Sequence, residues 1–486
     1  MSEENMNPID IPTFQPRLKV LSREQVLAIH TAALEILEKT GFRMEHPDAL
    51  KMLADAGCRV SDDNWVRMPG HLAEQALKSA PRQIALHDQK GNKTMPLVDG
   101  NPFYGTGSDT TFTHDLETGQ RRRTVLQDIA NFAKLVDGLE NISFAMSMSN
   151  PEDVPIENIY VYAFAEIVKN TNKPIVFISD SGKDIAKIHQ IACAVVGGEE
   201  EFRRKPFILN YSEAISPLRF PENVMEKLIF CAQKSIPICF PSGSNAGGGA
   251  PITLAGAMAL GIAENLVGLT VHQMFGKGSP FLFGPNVSTL DMKSTVVSYG
   301  CPEWALTQAA LADMRDELYG LPIWAYSGAS DAKVMDAQAG AEAMFSIITS
   351  MLSRCNLIHD NGYLEYGGIS SLEMVTMVNE LVAMSRFFVQ GIPVNEETLA
   401  LEAIHRVGSV PGSMFLTDDH TFDNFTQAQF IPKLLDRSRY DTWEEEGAQD
   451  FYKRCNVEAK RILAEHQVEP KSDEILQAID KIVQGG

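Results

Sequence analysis

Cysteine is scarce in this chain, seven in 486 residues, no two cysteines form a C-x-x-C pair, and no full set of Cys and His has the spacing of a familiar zinc site. The odd, scattered set (58, 193, 231, 239, 301, 355, 455) excludes a disulfide framework and the familiar zinc sites, and fits a reducing compartment. Positive charge is also short: 42 Lys and Arg against 63 Asp and Glu, a formal net charge of -21. Such a surface repels phosphate, so nucleic acid and anionic membrane are poor partners. The basic run Arg121-Arg122-Arg123 reads as a solvated lead-in to a helix. Missing too are a G-x-G-x-x-G fingerprint and a P-loop lysine. The longest apolar stretch, 251–275, is broken by Glu264, Asn265 and His272, which favours a buried helix over a membrane span. The first residues, MSEENMNPIDIP, are acidic without an apolar core, so no signal peptide is expected and the location is read as cytoplasmic.

What is present has a rhythm. Residues 22–90 read as amphipathic helices, opened by a capping box at Ser22 and Gln25 with Val26, Ile29, Ala33, Ile36 and Leu37 on one stripe. From 95 to 125 the glycines Gly105, Gly107 and Gly119 point to irregular strands and turns, and a helix follows over 125–137. Short apolar runs then recur near 143–148, 174–178, 206–210, 236–240, 280–284, 322–326, 355–359 and 413–417, the first seven each followed by a helical stretch. Eight strands alternating with helices predict an α/β fold, a (β/α)8 TIM barrel, with a doubly wound open sheet as the alternative. The expected divisions are a helical and irregular extension over 1–140, the barrel over 141–425, and a helical tail over 426–486 packed on the barrel.

In a barrel the active site lies at the carboxyl ends of the strands. Those ends are rich in Asn, Ser, Tyr and Trp, which suits a neutral or zwitterionic small molecule, and no acid–base pair or metal set stands out among them. Trp324 and Tyr326 share a face of one strand by its period of two, either as a core layer or as an aromatic wall for a quaternary ammonium. Tyr104, Phe112, Phe283 and Tyr363 are further aromatic candidates, and Asn210, His359 and His420 are candidate polar donors. The loop 242–249 is read as a lid or a close-packing segment that leaves room for a bulky planar ligand. Residues 418–423, Asp-Asp-His-Thr-Phe-Asp, nearly match the D-x-H-x-x-G motif for corrinoid cobalt, but Asp423 replaces the glycine. A tightly bound corrinoid or metal is therefore not expected, and no catalytic residue is assigned.

Several strings, taken in order, resemble the trimethylamine methyltransferase-like family, in particular its non-pyrrolysine members acting on quaternary amines such as glycine betaine. They run from Ile29-His30 through Glu38 and Gly41, Gly105-Thr-Gly-Ser-Asp109, Asp115-x-x-Thr-Gly119 and Asp128 to Ser216-Pro217-Leu218 and the helix with Glu264. Tyr299-Gly-Cys-Pro-Glu303, Ser330-Asp331-Ala-Lys333, Asp336-x-Gln338-Ala-Gly340, Gly362-Tyr-Leu364, Glu397-Thr-Leu399 and His420-Thr421 complete the series. The resemblance implies a (β/α)8 barrel and methyl transfer to the Co(I) of cobalamin carried by a separate corrinoid protein. Only ordinary residues are present, which puts trimethylamine in doubt and places glycine betaine first, with proline betaine and carnitine-like betaines next. A betaine carboxylate would then be met by His359, His420 or Asn210. Two rivals stay open: a non-catalytic betaine-binding or sensor barrel, and a metal-dependent barrel hydrolase. A homo-oligomer is expected.

Overall fold

The computed structural model describes residues 10–98 and 100–485. The capping box is formed: Ser22 Oγ accepts from the Gln25 N–H, and the Gln25 side chain accepts from the Ser22 N–H at 2.8 Å. Two four-stranded parallel ladders carry the molecule. In chain order their strands are β1 (Phe103–Gly105), β2 (Ile142–Phe144), β3 (Ile175–Phe177), β4 (Ile208–Tyr211), β5 (Ile238–Cys239), β6 (Phe281–Leu282), β7 (Trp324–Tyr326) and β8 (Leu357–His359). One ladder runs β2-β1-β8-β7 and the other β3-β4-β5-β6. Two parallel bridges link them, Ala145 with Ile175 and Phe283 with Ile323.

A helix stands before each next strand: α1 (Leu126–Gly138), α2 (Ile159–Asn170), α3 (Gly182–Val196), α4 (Glu222–Lys234), α5 (Leu254–Phe275), α6 (Pro302–Met314) and α7 (Ala337–Leu352), with α8 (Leu372–Val389) after β8. Alternation along the strands divides the apolar residues into two cores. Phe144, Val176, Leu209, Cys239, Leu282, Trp324 and Leu357 form an inner cluster to which no helix contributes. Ile208, Ile238, Phe281, Ile323 and Ile358 belong to an outer cluster shared with the helices. Strands buried on both faces read as continuous apolar runs, which is why seven of them are visible in the sequence.

The hairpin Ile84–His87 with Lys93–Leu97 adds Ile84, Leu86, Met95 and Leu97 to the inner cluster. His87 N–H donates to Pro206 O at 2.9 Å and Gln89 Nε2 to Thr171 O at 2.7 Å, so the hairpin sits where β3 and β4 begin. The amino ends of the strands are plugged, and the opposite ends remain for a ligand.

Three expectations need correction. Residues 413–417 are no strand; Phe415–Thr417 is an exposed turn of 3-10 helix. The place is taken by Phe103–Gly105, between β2 and β8, from the region read as irregular. Arg121–Arg123 is a strand paired with Phe112–His114, and Arg122 is bound by Asp115 at 3.0 Å and Asp128 at 2.7 Å. Phe112 lies beneath the Arg121 guanidinium, 3.4 Å from ring centre to charge, so it serves that sheet.

Helix α5 is apolar over a length that would cross a membrane, but it is buried from Ala257 to Gln273 within the protein. Its Glu264 accepts from Ser216 Oγ at 2.6 Å and the Leu218 N–H at 2.6 Å. The carboxyl-terminal segment is tied down by Glu380 of α8, which accepts the backbone N–H groups of Lys433, Leu434 and Leu435 at 2.8, 3.0 and 3.3 Å. Beyond it, Asn456 Nδ2 donates to buried Glu373 at 2.8 Å and His466 pairs with Asp137 at 2.8 Å.

Candidate active site

The carboxyl ends of the strands surround a cavity of about 550 Å³ lined by Tyr211, Glu213, Asn245, Asn286, Tyr299, Trp304 and Tyr366 among others. Tyr211 ends β4, and Glu213 follows two residues on, so both face inward while Asn210 and Ser212 face the helices. Tyr211 Oη donates to Glu213 Oε2 at 2.8 Å. The Tyr211 ring lies 5.3 Å from Trp324 and 6.1 Å from His359, and Trp324 stacks on His359 at 4.1 Å. His359 Nδ1 meets Asp360 Oδ1 at 2.5 Å, and its Nε2 has no partner.

A second group of rings stands beside the first. Trp304, near the start of α6, stacks on Tyr326 at 3.7 Å and meets Tyr299 edge-on at 4.6 Å. Tyr326 Oη donates to Tyr299 O at 3.1 Å, and Trp304 Nε1 to Asn286 Oδ1 at 2.8 Å. The Tyr299 loop is fixed by Asp331, which accepts from Ser298 Oγ at 2.5 Å and from the N–H groups of Tyr299 and Gly300 at 2.8 and 3.2 Å. Any side chain at Gly300 would strike the Glu342 carboxylate, and Glu342 in turn accepts from the Asp331 N–H at 2.8 Å. Asp331 and Glu342 thus build the wall without entering it.

Carboxylates give the region its charge. Glu213 is open to the cavity but surrounded by protein, and that burial, with Asp109 nearby, pushes its carboxyl above the ordinary value. Asp109 is raised likewise, by burial and then by Asp360, against bonds from Asn150 Nδ2 at 2.9 Å and Ser108 Oγ at 3.1 Å. Its backbone is left-handed, φ 70°, a strained state for a non-glycine residue and one that recurs at functional positions. Gly107, two residues earlier, is required by crowding, since a side chain there would meet Tyr363 Oη and Asp360. Among the described residues no group of three His, Cys, Asp or Glu is placed to hold a metal ion.

The sequence candidates separate accordingly. Trp324, Tyr326, His359 and Tyr363 come together, as buried rings behind the wall. Tyr363 Oη is bound to Ser108 O. Tyr104, Asn210 and Phe283 do not join them. Tyr104 Oη reaches Ser350 Oγ of α7 at 3.1 Å, and Phe283 packs on Tyr319 at 4.5 Å. Asn210 accepts from Ser212 Oγ at 2.8 Å on the helix side of its strand. His420 lies on the helix Asp419–Ala428, which has no buried residue. Two acids, Asp109 and Glu213, stand near the strand ends. Tyr211, Glu213, Tyr299, Trp304 and Tyr366 were missed as candidates. For the first two the available signal was strand register, because choosing Asn210 selects the opposite face of β4.

Residues 2–484 match the family described as Trimethylamine methyltransferase (MTTB). The chain belongs to the trimethylamine methyltransferase family. Among relatives of this methyltransferase, "Trimethylamine methyltransferase MttB" of Desulfitobacterium hafniense is 31% identical over 95% of this chain and 93% of its own. "Glycine betaine methyltransferase" of the same species is also 31% identical, over 95% of this chain and 96% of its own. The crystal structure of the Methanosarcina barkeri monomethylamine methyltransferase (MtmB) aligns over 93% of this trimethylamine methyltransferase-family chain and 96% of that one, with a TM-score of 0.45 and 11% identity.

Proposed function

We propose that this methyltransferase moves a methyl group from a quaternary amine to the Co(I) of a corrinoid carried by a separate protein. The two ladders would form a (β/α)8 barrel, their outer strands joined by the bridges at Ala145 and Phe283 and the cavity at its carboxyl end. The observation that carries the reading is the aromatic wall of Tyr211, Tyr299 and Trp304 beside a carboxylate open to the cavity, Glu213. Aromatic faces and a carboxylate both attract an alkylammonium, each ring by roughly 0.5–2 kcal/mol. The glycine betaine relative supports a quaternary amine.

In the transfer, the Co(I) electron pair forms the Co–C bond while the C–N pair returns to nitrogen. A quaternary ammonium leaves as a neutral tertiary amine, so no proton has to be delivered. The protein's contribution is orientation, holding the methyl carbon roughly 3–3.5 Å from the attacking atom and excluding water. We read the parallel unit as spanning β1 to α8, with the remaining carboxyl-terminal helices packed outside it, in a cytoplasmic homo-oligomer. Exposed Phe388, Ile392, Leu416 and Phe422 support association between copies. Loss of Co(I) absorbance from free cobalamin, with each of a panel of methylated amines, tests the reaction. Methylation with a quaternary amine is expected; turnover of none of them refutes the proposal.

A further inference from the structure

The charges around the cavity decide which quaternary amines fit it. Of the described residues lining it, Glu213 alone is charged; the rest are hydroxyl, amide, aromatic or aliphatic, with no Lys, Arg or His. Asp109 and Asp360 add to the negative potential felt by Glu213 and Tyr211. The cations nearby are committed elsewhere. Lys227 is buried with Nζ on Ser179 O at 2.7 Å, between the fields of Asp180 and Glu213. Lys333 is at the rim, 5.9 Å from the Tyr366 ring, and donates to Asp331 O at 2.8 Å. Of the three side chains expected to meet a betaine carboxylate, Asn210 faces the helices, His420 is on a peripheral helix, and His359, stacked on Trp324 with Nδ1 on Asp360, does not line the cavity.

A carboxylate two bonds from the ammonium would have to enter this same space. It would lose its water, gain no cation, and stand against fixed carboxylates, an arrangement that costs far more than it returns. A hydroxyl in that position has no such penalty. Asn286, whose oxygen is taken by Trp304 Nε1, has N–H groups to donate, and Asn245 and Ser288 supply further neutral partners.

We propose that the substrate is a net-cationic quaternary amine bearing a neutral hydrogen-bonding arm, an N-trimethylated amino alcohol, rather than a betaine with its carboxylate next to the ammonium. This rests on the quaternary-amine reading above and narrows it. Choline and glycine betaine are the matched probes, since they differ only in a hydroxymethyl against a carboxylate.

Binding of each to the full chain is measured by titration calorimetry without corrinoid, and methyl transfer by the Co(I) assay. Choline is expected to bind about tenfold more tightly or better, as one unpaired charge contact at reduced dielectric requires. It should also be the faster methyl donor. In Glu213→Gln, checked for folding by circular dichroism, choline should weaken, glycine betaine strengthen, and the gap between them close. Equal or tighter binding of glycine betaine to the unaltered protein overturns the inference; if it also methylates Co(I), the quaternary-amine reading stands. If neither probe binds or reacts, and no other quaternary amine does, both fall.

Discussion

Glu213 and the rings around it make separable contributions that single substitutions can resolve. Tyr366 lines the cavity and is 39% exposed, so removing its ring disturbs little of the core. Tyr366→Ala is expected to weaken tetramethylammonium binding by roughly 0.5–2 kcal/mol, one cation–π contact, with an unchanged melting temperature. Calorimetry and thermal unfolding on the same sample check both halves; an unchanged affinity would remove Tyr366 from the site. The raised carboxyl of Glu213 fixes a pH dependence. Between its unfolded and folded values the folded chain holds the extra proton, so the stability linked to this group is complete below the ordinary carboxylate range. That stability is lost as pH rises through the folded value. A bound cation favours the ionised form, so affinity runs the other way. The Kd for tetramethylammonium should fall as pH rises from the ordinary carboxylate range toward neutrality, and Glu213→Gln should flatten that profile. A profile that rises with pH would contradict this assignment.

The strands and helices show where positioning is separate from contact. Asp331, at the turn after β7, holds three groups of the Tyr299 loop without lining the cavity. Asp331→Ala leaves those donors unpaired, at about 1–3 kcal/mol for each buried one, and frees the ring they hold. KM for the amine should rise with the fold retained, whereas an unchanged KM would confine Asp331 to local structure. Glu380 plays a corresponding part for the tail. Glu380→Ala should lower stability by about 1–3 kcal/mol and speed amide exchange at 433–435 before that of the ladder strands. Exchange that accelerates uniformly would mean the tail and the ladders open as one unit. The same scale explains the misplaced strand. The run 413–417 has the apolar composition of a buried strand, yet Met414 and Leu416 are exposed. Phe103–Gly105 contains a glycine and only three residues, and its membership depends on partners at Ile142 and Ile358. A short strand far in sequence from both neighbours carries no local signal.

Across the whole molecule, the acidic composition and the partition into two cores set what the chain does alone. We expect the purified protein to carry neither cobalamin nor stoichiometric metal, because Asp423 breaks the ligation motif and His420 sits on a peripheral helix. Absorption spectra and elemental analysis check this, and a red preparation would place the corrinoid on this chain. The sequence by itself determined the class of the fold, since runs buried on both faces, alternating with helices, have few other solutions. It also determined the family, through strings such as Ser330-Asp331 and Gly105 to Asp109 whose order along the chain is fixed. Only the tertiary structure decided which residues form the site. A one-residue difference in register separates Tyr211 and Glu213 from Asn210, and the pattern of an apolar run does not reveal which face turns inward. The site's charge was likewise settled in three dimensions. Asp109, Glu213 and Asp360 lie far apart in the chain, and they act on one another only because the parallel strands end at a common level.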